Sequence, residues 1–519
     1  MTSKCFVAVG GFLTLLMITS LPARPAFAQE QQEQKPTYTL PEYNAFQAAR
    51  TESNPQNRLK LLDDFVAKYP NSTLMPYVYQ VYLDTYNQMK TYPKVIEYGD
   101  KLVAMGDKVQ VQVRLQALVA RCTAFEASYN PKAPDLQDQL TKEHDAAQQG
   151  LKLLDQLPKP QTVSDQQFAD QKKPAQNFFD NAAGFASLQM KDYKASADSF
   201  KAAVAANPKD AVAYYRLGVS YLQQNPPLAL DGFWELAKAI NLHTPAEQQV
   251  HQYLRAQMQR YQLTGCDNLL DAEFNELLTL AQNGPDDRPA SYTIASSADL
   301  DKVRQTSTIL TVLTDLKTGG DKAKTTWLAV CGSEFQDVPG KIIDKTTDPS
   351  NGTIVYKLYT GATQEEMDAA NQTNSAIVLS PQEGAQLTVN IPYATGAAAP
   401  GTATPGDAAT PGTSTTTSGG STATPSAGAS GSPAQTPAAQ GSTAGSPTGR
   451  PATISVTGEP GVDKFEKGDY FRYTGTLISY DPQPVVVYWD KAKVNPEDIP
   501  TEKSKPGEHK RAPVKKPGR

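Results

Sequence analysis

From Asn177 to Leu242 the apolar positions fall into short runs with helical spacing, one pair of them divided at Asn207-Pro208. Gly184 in NAAGFASLQM and Gly218 in YYRLGVSYL stand 34 residues apart. Each lies in mid-helix, where glycine costs about 1 kcal/mol against alanine. A position without a side chain, letting the facing helix of a hairpin come close, accounts for both. Tyr193, Ser196, Phe200, Ala203 and Pro208 follow the first glycine. Gly232, Leu236 and Ala239 repeat Ser196, Phe200 and Ala203 after the second, displaced by two residues that Asn225-Pro226-Pro227 absorbs in a longer turn. The pattern predicts helical hairpins that cannot bury their apolar faces alone.

The same spacing extends in both directions. Leu61, Leu62, Phe65 and Tyr69 precede a stop at Pro70 and a cap at Asn71-Ser72. Tyr79, Tyr82, Tyr86 and Tyr92 follow a similar plan, but Leu83 stands where later units keep glycine, so this unit is expected to pack more loosely or at another angle. Val111, Leu115, Leu118, Cys122 and Phe125 form one stripe; the alternation in VQVQVRL suggests a strand, and four turns of stripe decide for a helix. LQDQLTKEHDAAQQGLKLLDQL is its return helix, and Glu247–Leu263 with Asp267–Ala281 make a last pair. About twelve helices in six hairpins are thus expected over 38–283.

Beyond NGPDDRPASYTI the character changes. One helix from Ala298 to about Leu316 is expected, then strands in GKIIDKTT, GTIVYKLYTG, SAIVLS and GAQLTVNIPY. Ala394 to Ala452 is almost wholly Ala, Thr, Ser, Gly and Pro, with only Asp407 and Arg450 charged, a composition that cannot offset its chain entropy and predicts disorder. GDYFRYTGTLISYDPQPVVVYWDKAKV then alternates, turns at Asp481–Pro484 and returns. Two strands alone are marginal, so they are expected to pair with those before the insertion, an independent hairpin on a tether being the alternative.

Lys4, an apolar run from Phe6 to Leu21 and Ala26-Phe27-Ala28 give the order of a secretory signal cleaved after Ala28, with a retained anchor as the alternative. No later stretch is apolar enough to span a membrane, and the mature chain is expected to be exported, in the periplasm. The expected layout is a signal over 1–28, a disordered start 29–37, helical hairpins 38–283, a helix and first β part 284–393, the insertion 394–452, a second β part 453–502 and a basic disordered tail 503–519. Net charge is −5, and losing Lys4 and Arg24 with the signal leaves −7. The tail holds seven Lys/Arg against one Glu. An acidic body with a basic tail does not suit nucleic-acid binding. Cys122, Cys266 and Cys331 outlast the signal, too few and too scattered for a disulfide framework; a Cys266–Cys331 bridge is permitted, and core positions are the plainer reading.

Sought chemistry is sparse. There is no phosphate loop, nucleophile elbow or His-Glu-x-x-His. His243, Glu247 and His251 could approach a metal but read better as a solvated face, as does Glu143-His144-Asp145; Asp63-Asp64 and Asp286-Asp287 point to different faces if helical. No catalytic residue, metal or cofactor is expected. Asn71, Asn351 and Asn371 begin Asn-x-Ser/Thr triplets, meaningful only where that glycosylation pathway exists.

Leu217-Gly218 with Tyr221, and Phe200 and Ala203 with Pro208, resemble the tetratricopeptide repeat (TPR) family. Phe65, Tyr69, Pro70, Asn71 and Ser72 resemble the helix ends of exported bacterial repeat proteins that serve envelope assembly. Lys467–Val494, with Gly475 inside its first strand, resembles a strand pair of an oligonucleotide/oligosaccharide-binding (OB) barrel. The fold class implied is α+β and multidomain, an α-solenoid followed by a small antiparallel β-domain. By resemblance to the repeat family, groove positions fall on Tyr77, Gln80, Asp84, Asn87 and Gln88, on Phe178, Asn181, Phe185, Leu188 and Gln189, and on Val212, Tyr215, Val219, Leu222 and Gln223. Apolar members could instead pack on a neighbouring hairpin. Lys and Arg are absent there, which disfavours a clamp for a terminal carboxylate. The expectation is a non-enzymatic scaffold binding an envelope protein or peptide, the alternative a cell-wall or glycan binder stacking sugars on Tyr470, Tyr473, Tyr480, Tyr488 and Trp489.

Overall fold

The computed structural model describes residues 37–263, 267–391 and 452–501; the leader, the insertion up to residue 451, the basic tail and Cys266 lie outside the described residues. Two units are present, Met1–Tyr261 with Leu270–Ile294, and Gln262–Leu269 with Ala295–Arg519.

The first unit is helical: α1 (Leu40–Thr51), α2 (Pro55–Lys68), α3 (Met75–Gln88), α4 (Tyr92–Ala104), α5 (Val111–Ser128), α6 (Leu136–Asp155), α7 (Asp165–Gln189), α8 (Tyr193–Ala206), α9 (Ala211–Gln223), α10 (Ala229–Asn241), α11 (Glu247–Gln262) and α12 (Asp267–Asn283). Local chemistry starts several of them. Thr39 and Ser164 form capping boxes, and Asp192 and Asp210 accept from the backbone N–H groups of Ala195 and Ala213. One turn recurs at the ends of α3 and α7, where Lys90 and Lys191 take positive φ of 55° and 64°. Thr91 N–H reaches back to the Tyr86 carbonyl and Asp192 N–H to that of Ser187, both at 2.9 Å, satisfying carbonyls the helix end leaves free.

From α1 to α10 consecutive helices pack against one another, and α3, α5, α7 and α9 also touch in series, so these odd-numbered helices form one wall. Glycine sets the approach of the pairs. A Cβ on Gly184 would stand 2.9 Å from the Phe200 ring, and one on Gly218 2.9 Å from the Gly232 carbonyl oxygen. Gly150 plays the same part between α6 and α7, its virtual Cβ falling 2.4 Å from the Phe179 ring. Leu83 is buried among Val78, Tyr82, Val95, Tyr98 and Leu102, so this unit fills with leucine the position where later units keep glycine. Leu217, Ala203 and Ala239 are buried, Tyr193 and Tyr221 half-buried, and Pro208 exposed just past α8.

The second unit opens with three helices where one was expected: α13 (Ser297–Thr306), α14 (Ile309–Thr318) and α15 (Gly320–Val330). Thr308 breaks the run by capping α14 with Thr311, and Gly319 ends α14 at φ 75°. The strands are β1 (Glu334–Thr347), β2 (Ile354–Tyr359), β3 (Ser375–Leu379), β4 (Gln386–Ile391), β5 (Ala452–Thr457), β6 (Tyr470–Pro482) and β7 (Val485–Val494), with the short α16 (Gln364–Ala369) before β3. β1 begins six residues before the expected GKIIDKTT, because a bulge between Phe335 and Val338 carries the strand past Pro339. A closed barrel runs β1-β2-β3-β7-β6, with β3 and β7 its parallel pair; β4 and β5 form a separate two-stranded sheet. Strands on both sides of the insertion therefore share one core, with Ile342, Tyr356, Leu358 and Ile377 from the first part against Phe471, Tyr473, Leu477 and Trp489 from the second.

Candidate functional site

The predicted groove residues divide in two. On α3, Tyr77, Asp84, Asn87 and Gln88 are exposed and Gln80 is half-buried. Tyr77 keeps 55% of its surface while its ring lies 6.4 Å from that of buried Phe46, so it extends an apolar patch outward. On α7 and α9, Phe178, Asn181, Phe185, Leu188, Gln189, Val212, Tyr215, Val219 and Leu222 are half-buried, and Gln223 is exposed.

Several members of the second set already have partners. Asn181 donates through Nδ2 to Asp210 Oδ2 at 2.8 Å, beside Asn177 Nδ2 at 2.9 Å, so the two amides hold the start of α9. Gln189 Oε1 accepts from the Tyr129 hydroxyl at 2.8 Å, and the Tyr129 ring meets Phe185 edge-on at 5.2 Å. Arg216 stacks over Phe185 at 5.0 Å and reaches Glu126 at 3.9 Å. Tyr129, Glu126 and Arg216 were missed from sequence. Arg216 directly follows Tyr215, so helical spacing placed a cation beside the groove set that position-by-position transfer passed over. Asp180 was also missed; half-buried on α7, its carboxyl is pushed up to about 6 by burial.

Two charge clusters, each around a buried carboxyl, lie elsewhere in the helical unit. Arg121 on α5 pairs with fully buried Glu143 on α6 and, at 3.1 Å, with Asp100. Burial pushes Glu143 up to about 7 despite the arginine, so the sequence reading of Glu143-His144-Asp145 as exposed charge fails at its first member. The second cluster lies under an extended segment after α12. Lys238 Nζ donates to the Gly284 carbonyl at 2.7 Å, Trp234 Nε1 to the Pro285 carbonyl at 3.3 Å and the Tyr214 hydroxyl to Asp286 at 3.2 Å. Lys201 pairs with Asp287 at 2.9 Å and Arg288 with Asp231 at 2.7 Å. Beneath this strap Glu235 is buried with Oε2 unpartnered, and burial, then Asp287, pushes its carboxyl up to about 8. Asp286 and Asp287 thus dock a strap, and are not free surface acids.

The five aromatics expected to stack sugars do not make a surface. Tyr470, Tyr473, Tyr488 and Trp489 are buried, and Tyr480 packs edge-on against Trp327 at 4.9 Å. Trp489 Nε1 donates to Ser375 Oγ at 2.7 Å, and that hydroxyl meets the Tyr473 hydroxyl at 2.7 Å, so the polar tips are consumed inside the barrel. His243 and His251 approach Glu247 at 3.0 and 3.7 Å, and among the described residues no three side chains are placed to hold a metal ion. Asn351 turns its Oδ1 onto Thr353, whereas Asn71 and Asn371 are exposed. Cys331 is disulfide-bonded and Cys122 is a buried free thiol. Among the described residues no helix is long and apolar enough to cross a membrane.

No family model matches the chain. No curated protein sequence matches it either. Among solved structures it is similar to the MamA RS-1 ArsTM double mutant, at 20% identity and a TM-score of 0.27 over 40% of this chain and 94% of that one. It is also similar to the TPR2AB domain of yeast Sti1 in its pHSP90 complex, at 12% identity and a TM-score of 0.15 over 47% and 96% of the two chains. Scores this low carry no argument; the repeat reading rests on the helix pairing itself.

Proposed function

We propose that this protein is an exported, non-enzymatic scaffold of the cell envelope that binds a peptide or protein partner along the wall of odd-numbered helices. The observation that carries this reading is the state of α3, α7 and α9. Tyr77 is exposed, and Phe185, Tyr215 and Val219 keep part of their surface on a wall whose neighbouring helices already bury their other faces. Stacked hairpins present such extended surfaces to segments of other proteins. Arg216 and Glu126 give the middle of the wall both signs of charge, which fits backbone or amide groups better than a single free carboxylate. The barrel, with five strands and a parallel closing pair, fits the OB type. The glycan alternative finds four of its five aromatics buried.

The test is a photo-crosslinking residue placed at Tyr77 or at Val219 in the full chain expressed with its leader. The expected result is one envelope partner captured from both positions and none from exposed Lys194 on α8. Equal capture from all three positions, or none from any, would sink the reading.

A further inference from the structure

The barrel closes on itself and has no edges to guard. The β4–β5 sheet has two, and they are treated differently. On β5, Ser455 N–H donates to the Asp490 carboxylate at 2.5 Å, so a side chain of β7 blocks that edge. The same bond fixes which way β4 faces. Ser455 is the Cα partner of Thr388, and a residue whose N–H points away from its partner strand belongs to a non-hydrogen-bonded pair. Thr388 therefore also turns its N–H and C=O away from β5, and by the period of two so do Gln386 and Asn390. Among the described residues nothing pairs with them on that side.

Edge strands are ordinarily protected by charge, proline or a bulge. Gln386–Ile391 has none of these; its sequence is QLTVNI and its register with β5 is unbroken. Its faces are sorted as well. Gln386, Thr388 and Asn390 are exposed, while Leu387, Val389 and Ile391 are half-buried on a layer with Val378, Ile454 and Val456. We propose that β4 is a self-pairing edge, through which two copies of this chain join antiparallel about a two-fold axis at Thr388.

That register sets Gln386 opposite Asn390 and Thr388 opposite Thr388 on the polar face, with Leu387 opposite Val389 on the apolar one. All the outward N–H and C=O groups of Gln386, Thr388 and Asn390 then find partners in the other copy. A slip by one residue would set apolar against polar side chains throughout. The match of the segment to itself, and its lack of charge, favour a second copy over a foreign strand. A two-fold contact needs this self-complementarity. Six residues a side make a small interface, so the dimer is concentration-dependent. The helix wall takes no part, and failure here leaves the scaffold reading untouched.

Sedimentation velocity of the full chain over a concentration series tests the pairing. The expected result is a monomer–dimer equilibrium. Thr388→Lys and Thr388→Glu should each weaken it about tenfold or more, because like charges meet on the axis. An equimolar mixture of the two should restore it as a heterodimer, and Gln386→Lys with Asn390→Glu, which places opposite charges together, should keep it. Unchanged circular dichroism of the variants shows that they fold. A wild-type chain that stays monomeric at every concentration, or a dimer indifferent to Thr388→Lys, overturns the proposal. So does a monomer whose Gln386–Ile391 amides gain exchange protection only when an unrelated extended peptide is added.

Discussion

The two units hide apolar surface in opposite ways. In the helical unit each hairpin covers its neighbour, so burial is shared along the stack and one wall of half-buried aromatics and amides stays open. In the second unit the barrel covers itself: Tyr356, Phe471, Tyr473 and Trp489 turn into its core, and Tyr488 on the other face is buried in the layer with Ile454 and Val456. A count of tyrosines and tryptophans therefore says little about binding until the closure of the fold is known. The open stack leaves groups for a partner; the closed barrel uses its own.

Trp489→Ala gives the largest expected effect, because it empties a fully buried site and takes from the Ser375 hydroxyl one of its two partners. A cost of about 3–5 kcal/mol is expected. Near-ultraviolet dichroism of the barrel should collapse while most far-ultraviolet helical signal persists; a joint loss of both would show that the units are not separable in stability.

Glu235→Gln sharpens the comparison from the helical side. The Glu235 carboxyl, raised to about 8 in the fold from the ordinary 4.5, makes the unfolded chain the weaker proton binder between those values. Stability is thus present in full below the unfolded value and falls as pH rises toward 8. The variant should match wild type near pH 4 and exceed it near pH 9 by up to roughly 4 kcal/mol. Thermal melts across that range check the sign, and a pH-independent difference would refute it.

The two repeat glycines should differ. At Gly218 a new Cβ meets the backbone oxygen of Gly232, which cannot move without shifting α10, so Gly218→Ala should cost about 1–3 kcal/mol. At Gly184 it meets the edge of the Phe200 ring, a side chain and not the backbone, and alanine regains helix propensity of about 1 kcal/mol. Gly184→Ala should fall well below Gly218→Ala in denaturant midpoints; equal costs would mean the ring is as fixed as the backbone.

The smallest effect on stability belongs to Tyr77→Ala. Its exposed ring should cost within about 0.5 kcal/mol, whereas crosslinking of the partner should drop severalfold. A large loss of stability with capture unchanged would reassign Tyr77 to packing.

What could be read from the chain follows the same divide. Helix periodicity and glycine spacing are local signals, and they located the hairpins. One local signal was overlooked: Gln88-Met89-Lys90-Thr91-Tyr92 returns as Gln189-Met190-Lys191-Asp192-Tyr193, 101 residues on and one short of three 34-residue periods. Both copies build the same left-handed lysine turn. The breaks at Thr308 and Gly319 were written in QTSTIL and KTGGDK as a capping threonine and a glycine pair. The burial of Glu235 and the docking of Asp286 and Asp287 were not legible, because they depend on residues far apart in the chain, such as Tyr214 with Asp286 and Lys201 with Asp287, meeting across a strap. The fate of Tyr473 and Trp489 was equally hidden, since a strand pair alternates alike whether its inner face meets a barrel core or a ligand.

Ile391 and Ala452 are register partners at the end of the β4–β5 ladder. The chain departs and re-enters through neighbouring positions of a single ladder, so no tension reaches the barrel from whatever length lies between. Evolution can lengthen, shorten or rewrite that stretch without renegotiating the core, and a protein engineer can do likewise by splicing in any domain whose own termini lie close together.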